Sequence, residues 1–383
     1  MQYDVIIVGA GFAGSVMAER FAALNKKVLV IDERNHLGGN AYDYLDSGII
    51  VHKYGPHLFH TNDEKVFNYI KKFGNWFKYE HRVLGKVNNQ LVPIPFNLTS
   101  IEKCFDSKKS DKLKNILVTN FGKEKKISIL DLKKYNDNDI NLLANFIYEN
   151  VFLYYTMKQW GKKPNEIDAS VISRVPVFIS RDDRYFQDKY QIMPEEGYSK
   201  VFEKMLSSKN ITISLNTKAS DVIKIKENKI YYQQEEFKGI FIYTGMVDEL
   251  LNYKYGKLEY RTLDFEIEKL NQNSFQPVGT VNYPTKEDKF TRITEFKHMM
   301  KSSNTSNTII MKEYPREYLG GNDIPYYPIN NDKNNQIYQN YCNELSSISN
   351  FYLLGRLAEY KYYNMDAIIK EALILFDKWE GEI

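Results

Sequence analysis

A glycine-rich turn near residue 10 has the residue types and spacing of a dinucleotide-binding loop. Residues 3–8 form a short apolar run, and the sequence from Gly9 to Gly14 then reads G-x-G-x-x-G before a helix-like stretch to Leu24. The first glycine of such a motif permits a tight turn, the second lets the backbone approach a pyrophosphate, and the third lets helix and strand pack closely. The phosphates lie at the helix N-terminus, where free N–H groups favour negative charge. We therefore predict that a dinucleotide cofactor contacts Gly9, Gly11, Phe12 and Gly14.

The residues after the second apolar run, 28–31, indicate which dinucleotide binds. Asp32 lies 18 residues after Gly14. A carboxylate there accepts hydrogen bonds from a ribose hydroxyl and disfavours a 2′-phosphate, so FAD or NAD is preferred over NADP. The segment from Asp32 to Asn40 resembles the acidic-x5-Gly-Gly element of amine-oxidase-type flavoproteins, and the chain has no second G-x-G-x-x-G sequence. We predict FAD as the cofactor, in contact with Asp32, Glu33, Gly38, Gly39 and Asn40.

The hydrophobic pattern predicts the elements that position these residues. The first 32 residues read as a βαβ unit, and two apolar runs flank Asn88-Asn89 as in a β-hairpin. Residues 98–150 are Lys-rich and helical, and a strand from Phe351 leads through Gly355-Arg356 to a terminal helix. The clearest helix starts at Asn138 or Asp139 and has one apolar face, formed by Ile140, Leu143, Ala144, Ile147 and Val151.

These elements predict an α/β fold, in which a Rossmann-like FAD-binding domain carries an inserted helical domain and an inserted antiparallel-sheet domain. Short β-like runs are expected at residues 211–215, 222–225, 230–232 and 240–243, with antiparallel strands from Thr291 and Thr308. The predicted FAD-binding domain is discontinuous and comprises residues 1–62, 196–252 and 345–383. The helical domain comprises 98–148, and the substrate domain comprises 63–97, 149–195 and 253–344.

Composition and charge exclude several function classes. The 383 residues carry 52 basic and 49 acidic side chains, a net charge of +3 that would not attract nucleic acid. No apolar run approaches the ~18 residues needed to span a bilayer, and the N-terminus lacks the features of a secretory signal. Cys104 and Cys342 form no metal or redox motif, and His57 and His60 have no third ligand at metal spacing. We expect a cytoplasmic protein without a metal.

Eight segments, in order along nearly the whole chain, resemble those of the UDP-galactopyranose mutases. They are HKYGPHLFHTND (52–63), YYTMKQWG (154–161), SRVPV (173–177), EYRTLDF (259–265), FTRITE (290–295), KEYP (312–315), DIPYYPI (323–329) and GRLAEYKYYNMD (355–366). The resemblance implies a flavoprotein that binds a nucleotide-diphosphate sugar. Arginine suits the diphosphate because its planar fork donates paired, charge-assisted hydrogen bonds.

The resemblance also implies a role for individual residues. Arg174 and Arg292 would hold the diphosphate, and these two with His60, beside the flavin ring, form the expected catalytic set. The expected hydroxyl donors around the phosphates are Tyr155, Tyr185, Tyr327 and Tyr362. The expected aromatic wall near the base is formed by Phe152, Tyr155 and Trp160, and two further expected substrate contacts are Thr156 and Asn282. Arg356 would meet the flavin pyrophosphate, and His57, His60 and Met365 are further expected cofactor contacts.

The implied reaction interconverts UDP-galactopyranose and UDP-galactofuranose. No Ser-His-Asp set or carboxylate pair is evident, as expected where the cofactor carries the hard chemistry. In the family the reduced flavin attacks the anomeric carbon and there is no net redox change, so an external reductant is expected, as is a homodimer. Three alternatives remain open: the same ring contraction on a donor such as dTDP-fucopyranose, an amine-oxidase-type oxidoreductase, and a non-catalytic FAD-binding module.

Four residues depart from the family pattern. His81 stands where Asn is usual, Tyr154 where Gly is usual, Phe296 where His is usual, and Asn364 where Asp is usual. The first, second and fourth lie near the nucleotide sugar in the family. They leave the identity of the sugar and the nucleotide open.

Overall fold

A five-stranded parallel sheet forms the centre of the fold. The computed structural model describes residues 3–161 and 176–380, so Arg174 lies outside the described residues. The sheet has the strand order β12-β2-β1-β16-β22, with these strands spanning Val5–Val8 (β1), Val28–Ile31 (β2), Ile211–Ser214 (β12), Ile240–Tyr243 (β16) and Phe351–Leu353 (β22). Every residue of β1 and β2 is buried, as is usual for a parallel sheet covered on both faces. The predicted βαβ unit and Rossmann-like fold are confirmed.

The first and last helices pack together on one face of this sheet. The first helix, α1, spans Phe12–Ala23 and starts two residues before the expected Gly14, because Gly11 already lies at its N-terminus. The ring of Phe21 packs 5.2 Å from that of Phe376 and 5.3 Å from that of Trp379. Both partners belong to the terminal helix Met365–Glu380. The two ends of the chain therefore share one hydrophobic core, as the sequence predicts.

A seven-stranded sheet of order β21-β17-β20-β19-β18-β7-β8 forms the second large unit. Its strands span Val83–Val87 (β7), Gln90–Ile94 (β8), Tyr260–Leu270 (β17), Thr280–Asn282 (β18), Arg292–Glu295 (β19), Thr308–Glu317 (β20) and Tyr327–Pro328 (β21). Asn88 and Asn89 both have positive φ, 47° and 62°, as a two-residue hairpin turn requires. The sheet is antiparallel except where β18 runs parallel to β7, a long-range pairing that local patterns do not reveal.

Helices occupy the segment between the hairpin and the second half of this sheet. They span Leu98–Cys104 (α3), Ser107–Phe121 (α4), Ile129–Lys133 (α5), Asn138–Ile147 (α6) and Leu153–Trp160 (α7), preceded by Glu64–Ile70 (α2). The carboxylate of Asp137 caps α6 by accepting from the N–H groups of Asp139 and Ile140, one residue before the expected start. The predicted apolar face of α6 is buried.

Smaller elements complete the described chain. The remaining strands span Asp43–Asp46 (β3), Ile49–His52 (β4), Phe59–Thr61 (β5), Trp76–Lys78 (β6), Lys126–Ser128 (β9), Pro176–Phe178 (β10), Tyr190–Pro194 (β11), Ile223–Lys226 (β13), Lys229–Tyr232 (β14) and Glu235–Phe237 (β15). Further helices span Tyr198–Met205, Ala219–Val222, Val247–Leu250 and Asp332–Leu345. The domain boundaries drawn from the sequence stay a prediction. Among the described residues, no helix has the length and apolarity to cross a bilayer.

Candidate functional site

A cavity of about 870 Å³ opens at the carboxyl ends of β1 and β2, where open α/β sheets bind their ligands. Most of the residues predicted to contact the cofactor line it: Gly9, Gly11, Phe12, Asp32, Glu33, Gly38, Gly39, Asn40, His57, Arg356 and Met365. Two predicted contacts, Gly14 and His60, are not part of this lining. The volume of the cavity and the glycine loop in its lining fit a dinucleotide whose phosphates lie at that loop.

Two glycine segments form one wall of the cavity. The N–H of Gly38 donates to the carbonyl of Ala10 at 2.9 Å, and a Cβ on Gly39 would lie 3.1 Å from the Cα of Gly11. Side chains are absent here, so backbone is exposed to the cavity, as a pyrophosphate requires. Gly14 acts differently, because a Cβ there would lie 1.9 Å from the carbonyl oxygen of Gly9. It allows α1 to pack against the turn.

The carboxylate of Asp32 holds the turn together at the end of β2. It is 8% exposed, and its two oxygens accept from the backbone N–H groups of Ala10 at 2.8 Å and Arg34 at 2.9 Å. A carboxylate offers about four acceptor positions. Asp32 therefore retains acceptor capacity towards the cavity that it lines.

Arg34 is a site residue that the sequence analysis missed. Its Nη2 donates to Asn40 Oδ1 at 2.9 Å, and its Cζ lies 4.6 Å from the centre of the Tyr54 ring. Its Nη1 is buried without a hydrogen-bond partner among the described residues, and Arg34 lines the cavity. The positive charge of Arg34 at the cavity wall favours an anionic group nearby, such as a cofactor phosphate. The sequence feature that could have identified Arg34 as a site residue is its position two residues after Asp32.

The buried His52 and the partly buried His57 are neutral imidazoles beside the cavity. Nδ1 of His57 lies 2.9 Å from the carbonyl of Gly55 and must donate to it, and the N–H of His57 donates to Nδ1 of His52 at 3.0 Å. Burial lowers the pKa of His57 to about 3, with smaller contributions from Arg356 and Arg292, and lowers that of His52 to about 4. His57 therefore lines the cavity as an uncharged imidazole.

His60 lies on β5, away from the described lining of the large cavity. Its ring stacks on that of Phe186 at 3.6 Å. Its Nδ1 lies 3.0 Å from Asp188 Oδ2, and the other oxygen of Asp188 accepts from Asn62 Nδ2 at 2.8 Å. Asp188, which the sequence analysis did not single out, orients this histidine. A role for His60 at the reacting centre stays a prediction.

Arg292 is held on β19 by a buried carboxylate on the neighbouring strand. Its Nε donates to Glu313 Oε1 at 2.6 Å, and the two residues are directly paired across β19 and β20. Burial opposes the charge of Arg292, but Glu313, followed by the hydroxyls of Tyr155 and Tyr327, raises its pKa well above its ordinary value. The structure thus brings these predicted substrate residues together. Asn282 faces Arg292 across β18 and β19.

Aromatic hydroxyls and a second arginine lie near this pair. The ring of Tyr327 stacks on that of Tyr362 at 5.9 Å, and Tyr362 is 52% exposed. Arg356 Cζ lies 4.9 Å from the Tyr362 ring, and its Nη1 donates to the carbonyl of Tyr326 at 3.1 Å. Desolvation of the hydroxyl raises the pKa of Tyr185, and the positive charge of Arg292 partly offsets this increase. Arg356 therefore connects the cofactor cavity to the cluster around Arg292.

The residues predicted to contact the base are not gathered in the large cavity. Phe152 is 4% exposed and packs in the core of the helical unit, and Thr156 is also buried. Trp160 lines a separate cavity of about 320 Å³ together with Arg261. Arg261 donates from Nε to the carbonyl of Gln159 at 3.1 Å, so it caps the C-terminus of α7. Roles for Phe152, Tyr155 and Trp160 at the base, and for Thr156 as a substrate contact, remain predictions.

The four departures from the family pattern occupy different surroundings. His81 is buried, with its Nδ1 3.2 Å from the hydroxyl of Tyr79, and burial lowers its pKa to about 3. Asn364 lines the large cavity. The ring of Tyr154 lies 4.8 Å from Lys286 Nζ. Phe296 is fully buried and packs 5.6 Å from the ring of His52, so it belongs to the core.

No metal site accompanies these groups in the part of the chain that the structure describes. There, no cluster of three His, Cys, Asp or Glu side chains could hold an ion. Cys104 and Cys342 are free thiols, and burial raises the pKa of Cys104 to about 11.

Comparisons with known proteins agree with this geometry. A sequence model of the NAD(P)-binding Rossmann-like domain matches residues 7–73. The sequence model of UDP-galactopyranose mutase matches residues 150–362, more than half of the chain. The chain belongs to the UDP-galactopyranose mutase family. Family membership confirms the resemblance seen in the sequence, and with it an enzyme of the intramolecular transferase kind.

Individual relatives match over almost the whole chain. A probable UDP-galactopyranose mutase of Klebsiella pneumoniae is 36% identical, covering 99% of this chain and 95% of its own. A dTDP-fucopyranose mutase of Escherichia coli is 34% identical, covering 96% of both. A crystal structure of reduced UDP-galactopyranose mutase shares the fold with a TM-score of 0.73 at 16% identity, covering 100% of this chain and 95% of that one. The Rossmann-type domain and this shared fold indicate a flavin cofactor.

Proposed function

We propose that this chain is an FAD-dependent mutase that interconverts UDP-galactopyranose and UDP-galactofuranose without net redox change. The observation that carries the proposal is the pairing of Arg292 with Glu313 among tyrosine hydroxyls, next to a cavity built like a dinucleotide site. This arrangement offers an anion-binding group beside a cofactor. Relatives named for this activity support the substrate assignment.

FAD is the cofactor that best fits the large cavity. Its pyrophosphate would meet the backbone at Gly11 and Gly39 near the positive charge of Arg34, and its ribose would meet Asp32. When bound and reduced, the flavin supplies a nucleophilic ring nitrogen for the anomeric carbon of the sugar. The reductant that prepares it is external to the chain.

The residues around Arg292 hold the diphosphate while the sugar rearranges. The bond between the anomeric carbon and the diphosphate breaks and later re-forms, while ring closure moves from the O5 oxygen to the O4 oxygen. Negative charge grows on the leaving diphosphate oxygen, so a fixed guanidinium there stabilises the transition state more than the ground state. Arg292 would do this here, and Arg174 shares the role by resemblance. Glu313 keeps Arg292 oriented.

Neutral imidazoles suit a site whose substrate is an anion held by arginines. A protonated His57 would add positive charge beside Arg356 and Arg292, and burial prevents this by lowering its pKa to about 3. His57 can therefore accept or donate hydrogen bonds without competing for the diphosphate. This leaves Arg292 and Arg356 as the charged partners for anions among these three residues.

A second candidate is the same ring contraction on dTDP-fucopyranose. Asn364 in the cavity lining and the buried His81 are the observations that favour it, because both depart from the usual family residues. A dTDP-fucopyranose mutase is also among the full-length relatives. An uncharged amide in place of a carboxylate removes a strong acceptor, which would suit a sugar with one hydroxyl fewer.

A substrate screen with the reduced protein tests these assignments. Dithionite-reduced protein would be incubated with UDP-galactofuranose, UDP-galactopyranose and dTDP-fucopyranose, and the products separated chromatographically. Conversion of the UDP sugars supports the main proposal, and conversion of only the dTDP sugar supports the second. Steady oxygen consumption with an amine and no isomerisation would contradict both and favour an oxidoreductase.

Three further features are proposed with the function. We expect a homodimer, a cytoplasmic location, and no binding to nucleic acid or membranes, in keeping with the near-balanced charge of the chain. Light scattering of the flavin-loaded protein at several concentrations would test the dimer. A mass equal to one 45.1 kDa chain at all concentrations would contradict it.

A further inference from the structure

One lysine connects the helix α7 to the loop that precedes Arg292. Lys158 lies on α7, and its Nζ donates to the carbonyls of Tyr283 at 2.6 Å, Asp288 at 2.9 Å and Phe290 at 2.8 Å. These carbonyls belong to the loop between β18, which ends at Asn282, and β19, which begins at Arg292.

The ammonium group is fully used by this contact. An ammonium has three donors and no acceptor, and each donor meets a backbone carbonyl of the same loop. The loop is further closed by its own hydrogen bond from Thr285 Oγ1 to Asp288 Oδ2 at 2.8 Å. Three carbonyl oxygens that converge on one point repel each other unless a cation lies between them. The ammonium of Lys158 supplies this charge and donates a hydrogen bond to each carbonyl, so its role is structural.

The two elements that Lys158 joins both carry residues expected to contact the nucleotide sugar. α7 carries Tyr155 and Thr156, and the loop leads directly into Arg292. The same loop and helix meet a second time, where Lys286 Nζ lies 4.8 Å from the ring of Tyr154. Neither contact involves Glu313, which holds Arg292 independently from β20.

We propose that Lys158 is a positioning residue that fixes Tyr155 relative to Arg292, and so sets the spacing at which the site accepts a nucleoside diphosphate. The inference rests on the proposed function, because it assigns Tyr155 and Arg292 to one ligand. Lys158 itself is not part of the lining of the large cavity, and the three hydrogen bonds of its Nζ go to backbone carbonyls. Its loss should therefore weaken nucleotide binding more than it slows the bound substrate.

Two substitutions of Lys158, by methionine and by arginine, distinguish the role of its three hydrogen-bond donors from the role of its charge. Lys158→Met keeps an unbranched side chain of similar length but removes all three donors. Lys158→Arg keeps the charge, but its planar fork cannot direct three donors from one atom to three converging carbonyls. Lys289→Met is the matched control, since Lys289 lies on the same loop with an exposed side chain and loses the same charge.

The measurements are the Kd for UDP by calorimetry on flavin-loaded protein, with dTDP in parallel, and KM and kcat for the reduced protein. We expect Lys158→Met to raise the Kd about 10-fold or more, since a hydrogen bond to a charged group is worth at least that. Lys158→Arg should fall between Lys158→Met and the wild type, and Lys289→Met should stay within about 2-fold of the wild type because exposed charges contribute little. The increase should appear in KM, with kcat much less affected.

Each other outcome has a definite meaning. Wild-type Kd in Lys158→Met would overturn the inference while leaving the proposed function intact, even if the melting temperature fell. If Lys158→Met loses flavin, Lys158→Arg decides, and a wild-type Kd in that variant overturns the inference. A wild-type protein that binds neither UDP nor dTDP would instead contradict the proposed function.

Discussion

Glu313 accepts a hydrogen bond from Arg292 Nε at 2.6 Å while only 1% of Glu313 is exposed. A carboxylate so deeply buried is stable only when it is paired, because an isolated charge there would be poorly solvated. The pair holds the guanidinium through Nε, and within the described part of the chain its Nη1 and Nη2 make no hydrogen bond that would compete with a ligand. Arg292 is therefore fixed in orientation before any substrate arrives, the property that gives a fixed charge its catalytic value.

Replacing Arg292 should impair turnover as well as binding. We expect Arg292→Ala to lower kcat by about 10²–10³-fold, the usual effect of removing one preorganised electrostatic contact. Arg292→Lys should recover only part of this, because a point charge cannot reproduce paired hydrogen bonds. Steady-state kinetics at saturating nucleotide sugar, with flavin content measured by absorbance, would check this. Normal flavin content with near-wild-type kcat in Arg292→Ala would rule out the role.

The two glycines Gly11 and Gly14 should respond differently to a methyl group. A Cβ on Gly11 meets nothing closer than the Gly39 Cα at 3.8 Å, whereas one on Gly14 would lie 1.9 Å from the Gly9 carbonyl oxygen. We expect Gly11→Val to fold but to lose flavin, because its side chain occupies the proposed pyrophosphate position. Gly14→Ala should lower the melting temperature. Flavin absorbance and circular dichroism measure the two effects, and a fully yellow Gly11→Val protein would contradict the assignment.

Acid should destabilise the protein through its buried histidines. The pKa values of His52, His57 and His81 are lowered to about 4, 3 and 3, so below pH ~6.5 the unfolded chain binds protons that the folded chain does not. Stability is complete above that pH and falls as the pH drops towards 4, by up to about 4 kcal/mol per pH unit for three groups. Urea unfolding between pH 7 and 4.5 measures this slope.

A single replacement provides the control for this acid effect. His81→Asn removes one of the three titrating groups, so the slope should decrease by about 1.4 kcal/mol per pH unit. An unchanged slope in that variant would show that His81 is not the neutral group that its burial indicates.

Turnover should require a reduced flavin although no electrons appear in the product. We expect the dithionite-reduced protein to isomerise its substrate and the air-oxidised protein to be inactive or nearly so. Anaerobic assays with one preparation in both states test this directly. Equal rates in the two states would exclude nucleophilic catalysis by the cofactor.

Local sequence was sufficient for the parts of the fold that depend on neighbouring residues. The G-x-G-x-x-G turn, the apolar runs of β1 and β2 and the Asn88-Asn89 hairpin each have a short-range physical cause, and each occurs as predicted. Contacts between segments far apart in the sequence could not be predicted from local sequence. Glu313 reaches Arg292 only because β19 and β20 pair in one register, and Lys158 reaches its carbonyls only after two separate units have packed.

The functional site could be predicted from the sequence only in part, for the same reason. Residues at the ends of consecutive elements, such as Gly9 and Asp32, were assigned from spacing, but Arg34 and Asp188 were not. Nothing in their local sequence shows a buried Nη1 or a stacked histidine nearby. Phe152 shows a different difficulty, since the sequence does not reveal that its ring also packs in the core of the helical unit. Its contact with the base stays a prediction.

The packing of the helix Met365–Glu380 against α1 also constrains how the protein folds. Phe21 on α1 packs against two aromatic rings of that helix, which lies far along the sequence. Arg356 and Met365 likewise line the same cavity as Gly9. Pairing between segments so distant in sequence slows folding. The cavity is therefore complete only after these segments have packed, so capture of the flavin follows formation of this core.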